Sequence, residues 1–171
     1  IYIAIGPAVD CLHHWHAMDL DMSTTIGSDG LGTLREDWSD FVQGAWLAMR
    51  EHAGDLPYFN LSFSADLPIG SGMSSSSALT CGILHGLNNM ADIGVAEDAL
   101  PAMAYGVERE FICVRGGIMD QYASVLSQPD KFLLLDCLDR SFQQIPKPDG
   151  LHLFLINSKV QRSLKASGYN E

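Results

Sequence analysis

The stretch Pro68-Ile-Gly-Ser-Gly-Met-Ser-Ser-Ser-Ser-Ala78 decides the fold, because it places two glycines and four consecutive hydroxyls between two structured segments. The strictly alternating run 59–66 precedes it and predicts a half-buried strand, and the apolar pattern of residues 79–90 predicts a helix. Gly70 and Gly72 let the backbone approach an anion, while the start of the helix offers unpaired amides and a positive dipole end. The order strand, glycine loop, helix therefore predicts a phosphate site.

A flexible glycine-serine linker is the alternative interpretation of this stretch. Structured segments abut both of its sides without a spacer, which disfavours a linker. The stretch lacks the Gly-Lys-[Ser/Thr] ending of a Walker A loop, and no Gly-x-Ser-x-Gly nucleophile elbow fits around Ser71 or Ser74. One of its hydroxyls is expected to ligate Mg²⁺, as the P-loop serine or threonine does.

The remaining elements mix strands and helices without regular βαβ alternation, which favours an α+β fold. Residues 1–7 and 11–18 predict an antiparallel hairpin across a turn at Asp10. Helical periodicity and breakers predict helices over 37–52, 97–111 and 119–126, with Gly54 and the Gly116-Gly117 pair as boundaries. The apolar runs 131–136 and 151–157 predict buried strands, separated by a proline-rich turn over 146–150.

Composition limits the class of protein. The 171 residues suit one globular unit, and the net charge of −11 argues against a binder of nucleic acid or anionic membrane. No apolar run of about 18 residues and no signal-peptide pattern is present. The four scattered cysteines predict free buried thiols in a reducing cytoplasm. His13, His14 and His16 invite a metal interpretation, but solvated imidazoles on a strand are the favoured one.

The second chemical signal is the segment Gly116-Gly-Ile-Met-Asp-Gln-Tyr122. Its acid, Asp120, lies twelve residues after Glu108. An acid at the start of a helix, behind two glycines, can face a cleft and accept a proton from a substrate hydroxyl. The alternative is that Asp120 only caps the helix. For Glu108, pairing with Arg109 or plain solvation is the alternative to a binding role.

The glycine-serine stretch resembles the second signature motif of the GHMP kinases, whose loop wraps the phosphates of ATP. Met73 stands where Leu is usual in that motif, and Ser77 stands where Ala is usual. The segment Val107-Glu-Arg-Glu-Phe111 is similar to the family's Ala-Glu-x-x-Phe, in which Glu binds Mg²⁺. The resemblance therefore implies Mg²⁺ ligands at Ser76 and Glu108, and an ATP site formed by Pro68, Gly70, Ser71, Gly72, Met73, Ser74, Ser75 and Ser76.

Within that family, Gly-Ile-Met-Asp-Gln resembles the galactokinase active-site turn, which implies that Asp120 is the base and that Gly117 and Asp120 contact the sugar. The downstream Leu-Asp-Cys137, Ile-Asn-Ser158 and Ser-Gly-Tyr-Asn170 segments are similar to the galactokinase pattern in order and spacing. In that pattern the tyrosine contacts the sugar, which nominates Tyr169. Partial burial without a binding role is the alternative for Tyr169, and Gly168 replaces the usual Glu.

The resemblance implies an α+β GHMP kinase N-terminal domain of the ribosomal protein S5 domain 2-like fold. Residues 1–171 would form this ATP-binding domain, truncated at both ends, with the C-terminal domain starting near 160–171. The upstream Arg and Gly-Glu-His-Thr-Asp motif and the third glycine-rich motif are missing from the printed sequence. Negligible kinase activity is therefore expected of the 171 residues alone.

The implied function is cytoplasmic phosphorylation of D-galactose by ATP with Mg²⁺. Two alternatives stay open. One is a GHMP kinase for another sugar, such as arabinose, glucuronate or N-acetylgalactosamine. The other is a galactokinase-like ATP and sugar sensor that signals through a partner protein without catalysis. The sequence leaves the oligomeric state open.

Overall fold

The computed structural model describes residues 1–67 and 72–156 as a four-stranded sheet covered by helices, followed by a separate hairpin. Strands and helices mix as an α+β fold requires. The sheet contains β1 (Tyr2–Pro7), β2 (His13–Ala17), β3 (Met22–Ile26) and β4 (Phe59–Ser64). The helices are α1 (Ser39–Ala53), α2 (Ser75–Met90), α3 (Leu100–Gly106) and α4 (Met119–Leu126), and the hairpin is β5 (Lys131–Leu135) with β6 (Phe142–Pro146).

The strand order is β1-β4-β2-β3, so the expected hairpin between residues 1–7 and 11–18 is wrong. β4 lies between those two segments, antiparallel to β1 and parallel to β2, and β2 forms its hairpin with β3. Residues 8–12 therefore cross two strand spacings, a distance of about 10 Å that five extended residues can span. A short connection permits local pairing but does not require it.

The buried face of β2 carries His13, Trp15 and Ala17, whereas His14 and His16 lie on the opposite face. His14 contacts Asp10 at 3.0 Å and Thr25 Oγ1 at 3.1 Å, and His16 contacts a serine hydroxyl on β3. Within residues 1–67 and 72–156, no group of three His, Cys, Asp or Glu side chains is arranged to hold a metal. The imidazoles of this strand are thus used in core packing and protein hydrogen bonds.

The core lies between the sheet and helices α1 and α2. The predicted helical stripe of α1 is buried as expected at Val42, Ala45 and Met49, and the helix ends before Gly54. On the sheet side, Trp15, Phe59 and Leu61 are buried against these helices. Burying these side chains removes apolar area from water, which is the main stabilising term in folding.

The predicted helix over 97–111 is present but changes its winding. It begins as a 3₁₀ turn at Glu97–Ala99, continues as α3 with Pro101 in the first turn, and ends as a π-helical turn, Val107–Phe111. The amide of Ile112 donates to the carbonyl of Val107 at 3.0 Å, which is the i to i−5 bond of π geometry. Periodicity alone cannot predict such a local insertion.

The predicted strand over 131–136 is confirmed as β5, but it is half-exposed rather than buried. Its partner is β6, a polar strand that the sequence did not indicate. The predicted strand over 151–157 is wrong for its described residues, since 151–156 form no strand and Phe154 and Ile156 are exposed. An apolar run favours burial, but a strand also needs a neighbour for its backbone groups.

The four cysteines are free, as expected, but only Cys81 is buried. Burial raises the pKa of the Cys81 thiol to about 12. Cys11, Cys113 and Cys137 are exposed, which corrects the expectation of buried thiols for these three.

Among the described residues, no helix has the length and apolar character that crossing a membrane would need.

Replacing Gly44 by Ala should destabilise the protein by about 1–3 kcal/mol, because overpacking a tight interface is costly. A Cβ at Gly44 of α1 would lie 2.6 Å from Val107 Cγ1 and 2.9 Å from Phe111 Cδ1 of the π turn. Gly106→Ala is the matched control, since a Cβ there meets nothing within 4 Å. Chemical denaturation of both variants checks this, and a Gly44→Ala stability equal to wild type would contradict the packing described.

The stability of the protein should fall as the pH is lowered from 6.5 towards 4, in part because of His13. Burial lowers the pKa of His13 to about 4, from 6.5 in an unfolded chain, and its Nδ1 accepts the Phe59 amide at 3.3 Å. Between those values the unfolded chain binds the proton more tightly, so protonation favours unfolding by about 3 kcal/mol at most. His13→Gln should flatten the pH dependence of the unfolding free energy, whereas His52→Gln, at an exposed position, should leave it unchanged.

Candidate phosphate and metal site

The described part of the glycine-serine stretch leads into a helix N-terminus, as the sequence predicted. Gly72 has a φ of +75° and Ser74 a φ of 56°, so the chain turns through the left-handed region just before α2 begins at Ser75. The Ala78 amide donates to the Ser74 carbonyl at 3.0 Å and closes the first turn. The first amides of a helix have no intrahelical partner and face outward with the positive dipole end. Pro68, Gly70 and Ser71 lie outside the described residues.

A left-handed serine at this position is uncommon. Residues other than glycine pay a conformational cost in that region, and such strain concentrates at binding and active sites. At Ser74 the unusual φ redirects the chain so that the amides of the following serines start a helix. These residues therefore form the N-terminus of a helix, and the expected ATP-binding use of Gly72, Met73, Ser74, Ser75 and Ser76 stays a prediction.

Glu108 points into the protein from the π turn, with 7% of its surface exposed. The Ser77 hydroxyl, on the first turn of α2, donates to Glu108 Oε1 at 2.8 Å. The Gln121 side-chain amide, on α4, donates to the same Ser77 oxygen at 3.1 Å. One hydroxyl thus joins the helix after the loop, the π turn and the helix that carries Asp120.

Burial raises the pKa of Glu108, because the charged carboxylate loses water. Hydrogen bonds from Ser77 and Gln121 oppose this rise, and the charge of Asp120 adds to it. Among residues 1–67 and 72–156, no cation is one of the groups that act on its pKa. Arg109 is exposed and donates to the Tyr105 hydroxyl at 2.9 Å, so neither pairing with Arg109 nor solvation describes Glu108.

Asp120 lies in the first turn of α4, half-buried, and close enough to Glu108 for the two charges to interact. It is not the cap of this helix, because the cap position is Ile118 and makes no side-chain capping bond. Gly117 is exposed in the segment just before α4. Glu108 therefore contacts the first turn of α2, and Asp120 lies near enough to act on the charge of Glu108. Tyr169 lies outside the described residues.

The oxygen groups at this position fit Mg²⁺. That ion binds through one or two carboxylates and hydroxyls and keeps several waters, so it needs no cage of protein ligands. Glu108 supplies a buried carboxylate with no cation among the described groups that act on its pKa, and Asp120 adds a second carboxylate nearby. The serine hydroxyl in contact with Glu108 is that of Ser77, one position beyond the expected ligand Ser76.

Sequence reasoning missed the roles of Ser77 and Gln121. A signal for Ser77 existed, since Ser77, Cys81 and Leu84 recur at i, i+4 and i+7, the spacing of the buried face of α2. A serine on such a face needs a polar partner. The sequence carried no comparable signal for Gln121, because the direction of its side chain depends on how α4 packs against α2.

A family model described as the GHMP kinases N terminal domain matches residues 40–128, just over half of the chain. This chain belongs to the GHMP kinase family. The matched range includes the first turn of α2, Glu108 and Asp120, and thus the whole described part of the site.

Curated GHMP kinases called galactokinase match most of this chain. The galactokinase of Roseiflexus sp. (strain RS-1) is 29% identical over 169 residues, which cover 99% of this chain and 43% of the relative. The galactokinase of Chloroflexus aggregans is 34% identical over 139 residues, which cover 80% of this chain and 35% of the relative. The chain therefore spans less than half the length of these relatives.

Solved GHMP kinase structures share the fold. Lactococcus lactis galactokinase complexed with galactose superposes with a TM-score of 0.79 at 22% identity, over 84% of this chain and 38% of that one. The mevalonate kinase of Methanococcus jannaschii gives a TM-score of 0.72 at 18% identity, over 84% of this chain and 45% of the other. These likenesses establish the GHMP N-terminal fold that the sequence predicted.

Replacing Glu108 by Gln should raise the thermal stability of the protein at neutral pH in metal-free buffer. The raised pKa means that the folded state favours the neutral carboxyl of Glu108. The neutral carboxyl therefore stabilises the fold at low pH, and this stabilisation is lost as the pH rises from about 4.5, the value in the unfolded chain, through the raised pKa of the folded state. Gln keeps an oxygen that accepts from Ser77 but carries no charge. Glu110→Gln, exposed on the same π turn, is the control and should leave the melting temperature unchanged. A marked loss of stability in Glu108→Gln would contradict an uncompensated buried carboxylate.

Proposed function

We propose that the protein containing this chain is a galactokinase, which transfers the γ-phosphoryl group of ATP to the anomeric hydroxyl of D-galactose. The observation that carries the proposal is the convergence of two groups on the buried Glu108 carboxylate: Ser77, in the first turn of α2, donates to it, and Asp120 lies near enough to act on its charge. Phosphoryl transfer needs metal, phosphate and acceptor within a few ångströms, and this convergence supplies the protein groups for it. The galactokinase relatives and the galactose complex of the Lactococcus lactis enzyme support this substrate.

In the proposed mechanism, the amides of residues 70–75 bind the phosphates of ATP at the positive end of α2. Glu108 and Ser76 would hold Mg²⁺, which would neutralise charge on the phosphates. Asp120 orients the anomeric hydroxyl and accepts its proton as the sugar oxygen bonds to the γ-phosphorus. The bond from that phosphorus to the β,γ-bridging oxygen breaks, and ADP leaves. Gly117 and Tyr169 complete the sugar site.

The same proposal assigns residues 1–171 to the ATP-binding N-terminal domain, with the C-terminal domain beginning near 160–171, and places the enzyme in the cytoplasm. Another sugar acceptor is the second candidate. It is favoured by the fold likeness to a D-glycero-D-manno-heptose 1-phosphate kinase, with a TM-score of 0.69 at 20% identity. Coupled ADP release by the full gene product, assayed across several sugars, distinguishes the two.

Asp120→Asn in the full gene product should lower kcat by about 10²–10⁴-fold, the loss typical of an acid-base group, while ATP binding persists. Glu108→Gln should instead raise the concentration of Mg²⁺-ATP required for half-maximal rate, because it removes a charged oxygen ligand. Steady-state kinetics with galactose and Mg²⁺-ATP varied separately measures both effects.

Ser124→Ala is a control for Asp120, since Ser124 bonds the Asp120 backbone carbonyl at 2.8 Å and not its carboxylate. It should leave kcat within about twofold of wild type, as expected for exposed substitutions. Wild-type kinetics in both Asp120→Asn and Glu108→Gln would reject the mechanism while leaving the fold intact. ADP release without phosphorylated galactose, but with another sugar, would transfer the proposal to that substrate.

A further inference from the structure

The hydroxyl of Ser77 has a defined direction. Ser77 is 2% exposed, and its single hydroxyl hydrogen is used on Glu108 Oε1 at 2.8 Å. Its oxygen accepts the Gln121 side-chain amide at 3.1 Å, so the donors run in one sense from Gln121 through Ser77 to Glu108. Hydrogen bonds to a charged acceptor are shorter and stronger than neutral ones. The network thus favours one position of the carboxylate.

This network is specific to the residue at position 77. Ser77 stands where the second GHMP motif usually has Ala, and Ala has no hydroxyl to offer Glu108. The conformation of a buried carboxylate depends on its donors, because water does not satisfy it. In this chain the extra hydroxyl supplies that donor from the same helical turn as the expected metal ligand Ser76.

The network also connects the two carboxylates of the site. Gln121 follows Asp120 directly in α4, and its backbone carbonyl accepts the Cys81 thiol of α2 at 3.8 Å. Gln121 therefore contacts α2 through both its side chain and its backbone, one turn apart. Holding Gln121 holds the first turn of α4, and with it the separation between Asp120 and Glu108.

We propose that Ser77 is a positioning residue for a divalent cation bound with a nucleoside triphosphate: its hydroxyl, held by Gln121, fixes the Glu108 carboxylate towards the first turn of α2. The inference rests on the proposed use of Glu108 as a metal ligand. An ionised carboxylate has about four acceptor sites, so donors from Ser77 and Gln121 leave room for a metal. Groups that orient a metal ligand in this way typically affect metal affinity by 10–100-fold.

The matched control is Thr80, a buried hydroxyl one turn further along α2. Thr80 Oγ1 donates to the Ser76 carbonyl at 3.0 Å and has no bond to Glu108. Thr80→Val removes a buried hydroxyl with little change in volume, as Ser77→Ala does. A purely structural role of Ser77 would make the two variants alike.

The test measures Mn²⁺ affinity of the full gene product by electron paramagnetic resonance, with a non-hydrolysable ATP analogue present, together with melting temperature. Ser77→Ala should weaken Mn²⁺ binding by about 10–100-fold, whereas Thr80→Val should lower the melting temperature without changing Mn²⁺ affinity. In a Glu108→Gln background, Ser77→Ala should have no further effect on Mn²⁺ affinity, because coupled residues are non-additive.

Gln121→Met is the second variant if Ser77→Ala does not fold. It removes the donor to Ser77 and the hydrogen bond of Gln121 itself to Glu108, so it removes both contributions of Gln121 to the carboxylate. Gln121 Oε1 loses no bond, because it is buried without a hydrogen-bond partner among the described residues. It should weaken Mn²⁺ binding in the same direction. Wild-type Mn²⁺ affinity in either folded variant would overturn the inference.

The outcome is separable from that of the proposed function. A wild-type protein that phosphorylates galactose, with Mn²⁺ affinity unchanged by Ser77→Ala, would overturn the positioning role and retain the kinase. Conversely, a protein that turns over no sugar but loses Mn²⁺ affinity in Ser77→Ala would support the positioning role and reject the proposed reaction.

Discussion

The hydrogen bond from Ser77 to the buried Glu108 carboxylate is the contact on which the site depends. It joins α2 to the π turn, and the Gln121 amide extends it to α4. Removing such a donor would leave a buried charge short of partners, which costs more than the bond itself contributes. Three elements far apart in sequence are therefore held at one point, where the site needs them together.

The surrounding fold brings Glu108 to that point. The change from α to π winding at Val107–Phe111 lies against α1 at Gly44, where the side chains of Val107 and Phe111 occupy the space that a Cβ would need. π turns are commonly found at functional sites, because the extra residue redirects a side chain. Here the turn directs Glu108 inward while Arg109 and Glu110 face solvent. Burial of this acid raises its pKa and lowers the stability of the folded state at neutral pH, a cost that the proposed metal-binding role would explain.

Most helices were predictable from the sequence because their signals are local. The stripe of α1, Pro101 in the first turn of α3, and the Gly116-Gly117 break all act within a few residues. The strand pairing was not predictable, because β4 lies between β1 and β2 in the sheet although it is more than forty residues away in the sequence. The site followed the same division. Gly72, Glu108 and Asp120 carry motif signals, whereas the contacts of Ser77 and Gln121 arise only when α2, the π turn and α4 pack together.

The most direct test of this account is an anomalous difference map from crystals of the full gene product grown with Mn²⁺ and a non-hydrolysable ATP analogue. The account predicts a peak about 2.0–2.2 Å from a carboxylate oxygen of Glu108, with the Ser77 hydroxyl still donating to that carboxylate and the phosphates at the N-terminus of α2. A Mn²⁺ peak held by other residues, with Glu108 bonded to protein groups alone, would contradict it.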